Sequence, residues 1–392
     1  MKIGLITGEY PPQQGGVGDF TRELGRALLG LGHEVVVITS SRAKQPADSP
    51  VAVERIVPNW SRACWPVIAE AAGRLKLDVL NIQYEPVAYS MKVGINLFPW
   101  WYKRQARSVP VVTTFHDLLV PYLFPKAGLL RWKIVELLAR HSRAVIVSNE
   151  EDRLMLAGSD RKPPFSNLRL VPIGSNIQPS APPGFNRDQE RARWGAGKSD
   201  WLIAYFGFLN MSKGGLTLLR AVGLLVNDRL PARLLLVGGR TGSSDPTNAQ
   251  YALEVEQTVS RLGLTERTRY TGYVDPVQVT AAMAASDVIA LPYADGVSFR
   301  RGSLMAALVH GKAIVTTRPR VKLPHLIDSE NCVMVVPEDP GALSFGIRRV
   351  MTEPGLRARL EEGARRLARE FTWDKIAAQT VEVYVGAAGV AR

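Results

Sequence analysis

The chain has 392 residues, 46% hydrophobic and 22% charged, with a net charge of +13. This is the composition of an ordinary soluble globular protein, long enough for two domains with separate cores. The first strand follows Met1 too closely for a signal peptide, and no apolar run approaches the roughly 18 residues of a membrane span, so a cytoplasmic protein is expected.

The positive charge is spread along the chain, +7 over residues 1–180 and +6 over the rest. Without a basic tail it argues only weakly for nucleic acid, and none is expected as a partner. An anionic substrate or an acidic membrane surface accounts for the charge equally well. Cys64 and Cys332 lack metal-type spacing and read as buried thiols, and no cluster of His, Cys and Asp indicates a metal site.

In chain order, strand-like apolar runs fall at 3–7, 35–39, 79–82, 111–114, 144–148 and 168–171, most of them separated by helical stretches. The clearest helix is 19–31, with Phe20, Leu24, Leu28 and Leu31 on one face and Asp19 as its N-cap. Continuous apolar strands alternating with helices predict a parallel sheet covered on both faces. After Pro172 the pattern breaks into SNIQPSAPPGFNR, a linker by composition. A second series follows at 202–206, 234–237, 270–271, 288–291, 313–316 and 333–336, and then long helical segments at 342–352, 356–370 and 373–387. The fold class is therefore α/β, with two doubly wound, Rossmann-like domains at 1–180 and 181–372. A C-terminal helix within 373–392 could cross back to the first domain.

Folds of this kind bind ligands at the loops that follow the carboxyl ends of their strands. After the first strand comes GEYPPQQGGVGD, whose Gly15 and Gly16 allow close backbone approach at a helix end that favours an anion. The spacing is not a dinucleotide fingerprint, and a mobile surface loop is the alternative. The fourth strand ends on Phe115-His116-Asp117, where His116 is either structural or faces an interdomain cleft. In the second domain the strand ends carry Gly207 and Phe208 leading to Lys213, then Gly238, then Gly272-Tyr273-Val274, all on one edge of one sheet.

The densest signal is 287–317, DVIALPYADGVSFRRGSLMAALVHGKAIVTT, which reads strand, turn at 294–296, helix with Ser303 as N-cap, and strand. Arg300, Arg301 and Gly302 stand just before that helix. Two guanidinium groups and open N–H groups converging on one point suit a phosphate or diphosphate. A solvated Arg pair in an ordinary βαβ unit is the other reading. A separate feature is 95–107, INLFPWWYKRQAR, whose interleaved aromatic and basic residues suit a membrane interface or, alternatively, a helix packed on the first sheet with its basic end in solvent.

Together these segments resemble the family 4 glycosyltransferases of GT-B fold, over nearly the whole chain. GEYPPQQGGVGDF is similar to that family's first glycine loop, TTFHD to its histidine segment, and FLNMSKG to its arginine–lysine segment. YTGYVD resembles the base-binding turn, the region 288–317 the donor-site signature, and FTWDKIAAQTVEVY the crossing C-terminal helix. VPIGSNI resembles the element before the linker, with Ile173 and Asn176 replacing the usual Asn and Asp.

The resemblance implies two Rossmann-like domains facing a central cleft, the acceptor on the first and the donor on the second. It implies transfer of a sugar from a nucleotide diphosphate sugar, with retention at the anomeric carbon, no metal, and no cofactor beyond that co-substrate. The acceptor would be a sugar, a glycan, a lipid-linked molecule or a small molecule. His116 and Lys213 would serve catalysis. Gly15, Gly16, Lys213, Arg300, Arg301, Gly302 and Ser303 would bind the diphosphate, and Gly238, Tyr273 and Val274 the nucleoside. His116, Asp295 and Ser298 would meet the donor sugar.

Three positions depart from the family pattern. Phe208 stands where the family has an arginine, and its two glutamates fall on Ser298 and Ala306. Arg300 and Arg301 then read as a relocated phosphate site that compensates for Phe208. Loss of both carboxylates leaves two alternatives, an inactive binding or scaffold protein of this fold and, less favoured, a nucleotide-sugar epimerase.

Overall fold

The computed structural model describes residues 1–44, 49–106, 108–118, 129–158, 167–239 and 246–389. The chain forms two compact units, Met1–Gly174 together with Thr372–Arg392, and Ser175–Phe371. The break at Gly174 precedes the Pro-rich segment that marks the expected boundary at 180. The Thr280 hydroxyl donates to the Gln178 carbonyl at 2.7 Å, which ties the start of that segment to the second unit.

The first unit runs β1 (Lys2–Ile6), α1 (Gly16–Gly30), β2 (Glu34–Ser40), β3 (Ala52–Val57), α2 (Cys64–Arg74), β4 (Val79–Tyr84), α3 (Gly94–Tyr102), β5 (Val111–Phe115), α4 (Leu129–His141), β6 (Ala144–Val147), α5 (Glu150–Ala157) and β7 (Leu168–Leu170). Its seven strands lie in the order β3-β2-β1-β4-β5-β6-β7, each pair parallel. β3 is absent from the predicted strands, because Glu54 and Arg55 interrupt its apolar run and, as an edge strand, it is only half covered. α1 begins at Gly16 with Gly15 as its N-cap residue, not at Asp19. The Asp19 N–H already donates to the Gly15 carbonyl at 3.1 Å, which places it inside the first turn.

The second unit holds α6 (Arg187–Arg193), β8 (Trp201–Phe206), α7 (Gly215–Asn227), β9 (Ala232–Val237), α8 (Pro246–Arg261), β10 (Thr268–Gly272), α9 (Pro276–Ala285), β11 (Val288–Leu291), α10 (Gly302–Val309), β12 (Ile314–Thr317), β13 (Val333–Val335), α11 (Pro340–Thr352) and α12 (Leu356–Ala368). Its parallel strand order is β10-β9-β8-β11-β12-β13. Buried β-branched and leucine side chains fill both faces of these strands, which is why they read as continuous apolar runs.

A last helix, α13 (Trp373–Ala388), returns to the first unit and packs on α1 and on β4 to β6. Ile376, Ala377 and Tyr384 are fully buried there against Ile3, Leu5, Val79 and Val112. A Cβ on Gly174 would stand 2.9 Å from the Trp373 ring, so the glycine lets the helix start lie close to the sheet.

α3 settles which side of the aromatic segment faces inward. Ile95, Phe98 and Tyr102 are fully buried, and Trp101 stacks on Trp65 at 5.5 Å. Trp100 remains 40% exposed beneath the Arg104 guanidinium, 4.3 Å from its ring centroid. Arg107 lies outside the described residues. Among the described residues no helix is long and apolar enough to cross a membrane.

Because Ile376 is fully buried between α1 and the sheet, Ile376→Ala should destabilise the first unit by about 2–5 kcal/mol in denaturant titration. A cost under about 1 kcal/mol would mean that α13 is only loosely docked.

Candidate functional site

In the second unit, β8 ends on Gly207, whose φ of +128° suits glycine. Asn210 then caps a 3₁₀ turn, Met211–Lys213, by accepting the Lys213 N–H at 3.1 Å. Gly214 follows at φ +70°, and a Cβ there would come within 1.9 Å of the Pro292 carbonyl oxygen. The Ala294 N–H donates to the Ser212 carbonyl at 2.9 Å. These two close contacts bind the loop after β8 to the loop after β11, and so bring Lys213 to the stretch that carries Arg300 and Arg301.

Lys213 folds back so that its Nζ would lie 2.8 Å from a Cβ on Gly207, and it sits 5.9 Å from the Phe208 ring centroid. Burial pushes its ammonium down to about 8, and the charge of Arg301 adds to the shift. No carboxylate contributes to that balance among the described residues.

α10 begins at Gly302, with Arg301 and not Ser303 as the N-cap residue. The Ser303 hydroxyl instead meets the Tyr293 hydroxyl at 2.7 Å, which fastens the helix start to the end of β11. Thr317 adds a bond to the Tyr293 carbonyl at 2.8 Å. The first N–H groups of any helix lack partners within it, and the space beside Gly302 is open. Arg301 pairs with Asp295 and lies 4.9 Å from the Tyr293 ring centroid, while Arg300 approaches the same carboxylate at 3.6 Å. The expected Arg pair thus shares one carboxylate. Asp295 Oδ1 and Arg301 Nε are both buried without a hydrogen-bond partner among the described residues. Ser298 is buried and accepts the Arg301 N–H on its carbonyl at 3.1 Å, and Ala306 is buried within α10.

The glycines at the ends of β8, β9 and β10 meet one another. A Cβ on Gly238, itself at φ +117°, would lie 3.1 Å from the Gly207 carbonyl oxygen, and the Gly238 N–H donates to Thr271 Oγ1 at 3.0 Å. Gly238 also bridges to Gly272, after which Tyr273 is 62% exposed and Val274 half-buried. The expected diphosphate and nucleoside residues of this unit therefore share one edge of one sheet.

The first unit gathers a different set at the ends of β1, β4 and β5. At the glycine loop a side chain of this chain meets the start of the helix. Glu9 Oε1 accepts the N–H groups of Val17 and Gly18 at 3.0 and 3.2 Å, so a side chain of this chain already occupies the start of α1. Gly15 is needed there because a Cβ would overlap the Glu9 carboxylate, 2.1 Å from Oε1. Burial raises the Glu9 pKa despite those two N–H groups. Glu85, at the end of β4, is pushed up to about 7 by burial and by the charges of Glu9 and Asp117.

His116 follows β5, with its Nε2 2.9 Å from Gln83 Oε1 and its ring 4.5 Å, edge to face, from Phe20. Burial pushes its pKa down to about 3, so the imidazole is neutral. Glu9, Gln83, Glu85 and Tyr293 were not among the residues expected from the sequence. The polar alternation of VLNIQYE within a central strand was the available signal for two of them. Among the described residues no three His, Cys, Asp or Glu side chains group so as to hold a metal ion.

Comparison with known proteins agrees with this architecture. Residues 14–177 match the family model for glycosyltransferase family 4, and residues 201–353 that for glycosyl transferases group 1. The D-inositol 3-phosphate glycosyltransferase of Xylanimonas cellulosilytica is 26% identical, over 95% of this chain and 92% of its own. The glycogen synthase of Mycobacterium tuberculosis is 24% identical, over 99% and 95%. Among solved structures, sucrose-phosphate synthase of Thermosynechococcus elongatus superposes with a TM-score of 0.74 at 22% identity, covering 98% of both chains. Anabaena HepE in complex with UDP and glucose gives a TM-score of 0.74 at 18% identity, covering 97% of this chain and 98% of its own. At such identity the structural likenesses establish the GT-B fold.

Proposed function

We propose, for a chain that belongs to the family 4 glycosyltransferases, that it moves a sugar from a nucleoside diphosphate sugar to a glycan, lipid-linked or small-molecule acceptor, with retention at the anomeric carbon. The observation that carries this reading is Lys213. An ammonium that burial has desolvated, with no carboxylate beside it among the described residues, is complementary to an anion. It stands at the edge where Arg300, Arg301 and the start of α10 also converge. A donor is consistent with the fold's other members, since HepE has been solved with UDP and with UDP-glucose.

On this reading the second unit holds the donor and the first the acceptor. Lys213 neutralises the charge that the diphosphate gains as it leaves, and α10 adds its N–H groups. Arg301 and Arg300 complete the cation set in place of the arginine that Phe208 replaces, their excess over Asp295 being one positive charge. Glycines at the β9 and β10 ends let the base approach the backbone, with Tyr273 and Val274 beside it. Asp295 and Ser298 would meet the donor sugar in the second unit, and neutral His116 would serve substrate from the first. The scheme calls on no metal and no cofactor beyond the nucleotide sugar, and it stands in place of the scaffold and epimerase alternatives. Peripheral membrane contact through 95–107 would rest on exposed Trp100, Lys103 and Arg104, given how α3 packs.

Three measurements follow from these assignments. A bound diphosphate raises the Lys213 pKa from about 8 back toward its ordinary value, so binding near that pH takes up a proton. Affinity should fall as pH rises through about 8, because the free protein then loses its ammonium. Calorimetry of UDP in buffers of different ionisation enthalpy reads the proton directly, and Lys213→Met should abolish the uptake while sparing uridine affinity. Equal losses for UDP and uridine would overturn the assignment.

His116→Ala should cut turnover by at least ~100-fold with nucleotide binding intact, a drop that would be missing if the histidine were only structural. Sedimentation with anionic vesicles at low salt should retain the chain, and Trp100→Ala with Arg104→Ala should release it; no sedimentation removes the membrane contact.

A further inference from the structure

Asn81 and Gln83 alternate along β4 with Leu80 and Ile82, so both amides point to the face of the sheet covered by α1 and α13. Most of that face is apolar, Thr114 beside them being an exception, and both residues are fully buried in it. Buried amides are costly unless bonded, and these are bonded in a chain of fixed direction. The Val112 carbonyl can only accept, so the group facing it at 3.2 Å is Asn81 Nδ2. Asn81 Oδ1 then accepts the Tyr384 hydroxyl at 2.9 Å, while the Thr114 hydroxyl lies beside both amide atoms, 3.0 Å from Nδ2 and 3.2 Å from Oδ1. Asn81 Oδ1 also accepts from Gln83, which must therefore present its Nε2 to Asn81. Gln83 Oε1 is left facing His116, and an amide oxygen only accepts, so His116 Nε2 is the protonated nitrogen, at 2.9 Å.

We infer that Gln83, backed by Asn81 and Tyr384, is a positioning residue that locks His116 in its Nε2–H tautomer, so that Nδ1 offers its lone pair to a substrate hydroxyl. The lock starts from a main-chain carbonyl and runs through three side chains, so no step can reverse without setting two acceptors or two donors against each other. Phe20, edge to face with the ring at 4.5 Å, limits its rotation from the other side. With the imidazole neutral, one nitrogen donates inward and the other is a hydrogen-bond acceptor. His116 would thus receive a hydrogen bond from substrate where an imidazolium would donate one. This rests on the reading that His116 meets the substrate, and the arms of the test separate the two.

The test is the ring ¹⁵N spectrum of the full chain labelled at histidine, with the His116 signals identified by their loss in His116→Ala. In the unaltered protein Nε2 should show the protonated, pyrrole-type shift and Nδ1 the unprotonated, pyridine-type shift, as a single tautomer at neutral pH. Gln83→Met keeps the volume but removes the acceptor, and should yield a second or averaged tautomer together with a kcat loss of at least ~10-fold and little change in KM. Tyr384→Phe should leave the tautomer unchanged, because Val112 still orients Asn81. An Nδ1–H signature in the unaltered protein overturns the lock, as does an unaltered pattern in Gln83→Met. Should Gln83→Met fail to fold, the spectrum of the unaltered protein alone decides. If the tautomer is as expected but adding donor and acceptor leaves the Nδ1 shift in place and His116→Ala retains turnover, the lock stands without a substrate and the role given to His116 is overturned.

Discussion

A half-buried, desolvated ammonium with no carboxylate beside it among the described residues is costly to keep, and Lys213 in the second unit is one. Gly214 under the Pro292 carbonyl and the bond from Ala294 to Ser212 join the loop that carries Lys213 to the loop after β11 as one piece. The same piece carries Tyr293, Asp295 and the start of α10. Lys213 and the two arginines are therefore set on one connected stretch of backbone.

Electrostatics are handled differently in the two units. In the second, two arginines share Asp295, so the carboxylate fixes their geometry without cancelling their charge. Among the described residues, Asp295 Oδ1 and Arg301 Nε remain buried within that arrangement without a hydrogen-bond partner. In the first unit Glu9, Glu85 and Asp117 come together at the strand ends. Glu9 bonds the start of α1 from within, and burial together with the charges of Glu9 and Asp117 raises the cost of ionising Glu85. A glycine-rich turn before a helix is therefore not by itself an anion site. Whether its N–H groups are spent depends on a side chain several residues away.

Much of the fold was legible in the sequence. Continuous apolar strands separated by amphipathic helices could only be parallel sheets covered on both faces, and all the predicted strands are present. The one that was missed, β3, lies at an edge where half of each residue meets solvent and the apolar signal is weakest. Helix starts were less legible. Asp19 and Ser303 have the chemistry of a cap, yet each lies inside its helix, because the preceding loops enter the turn at Gly15 and Arg301. The clustering of Gly207, Lys213, Gly238, Gly272 and the Arg300–Arg301 pair on one sheet edge was readable because a parallel sheet places all its carboxyl ends together.

What the sequence by itself determined is local and periodic: which segments are strands, which face of a helix is apolar, and which strand-end loops carry glycine and charge. Those follow from backbone sterics and from the period of burial. The tertiary structure alone decided which polar group meets which. It gave Glu9 to the start of α1, Asp295 to two arginines, and a line of amides from Val112 to His116. The physical reason is that a hydrogen bond or ion pair is specified by distance and direction in space; residues 81, 83 and 116 acquire these when β4 pairs with β5, and residue 384 joins them when α13 folds back over the first sheet.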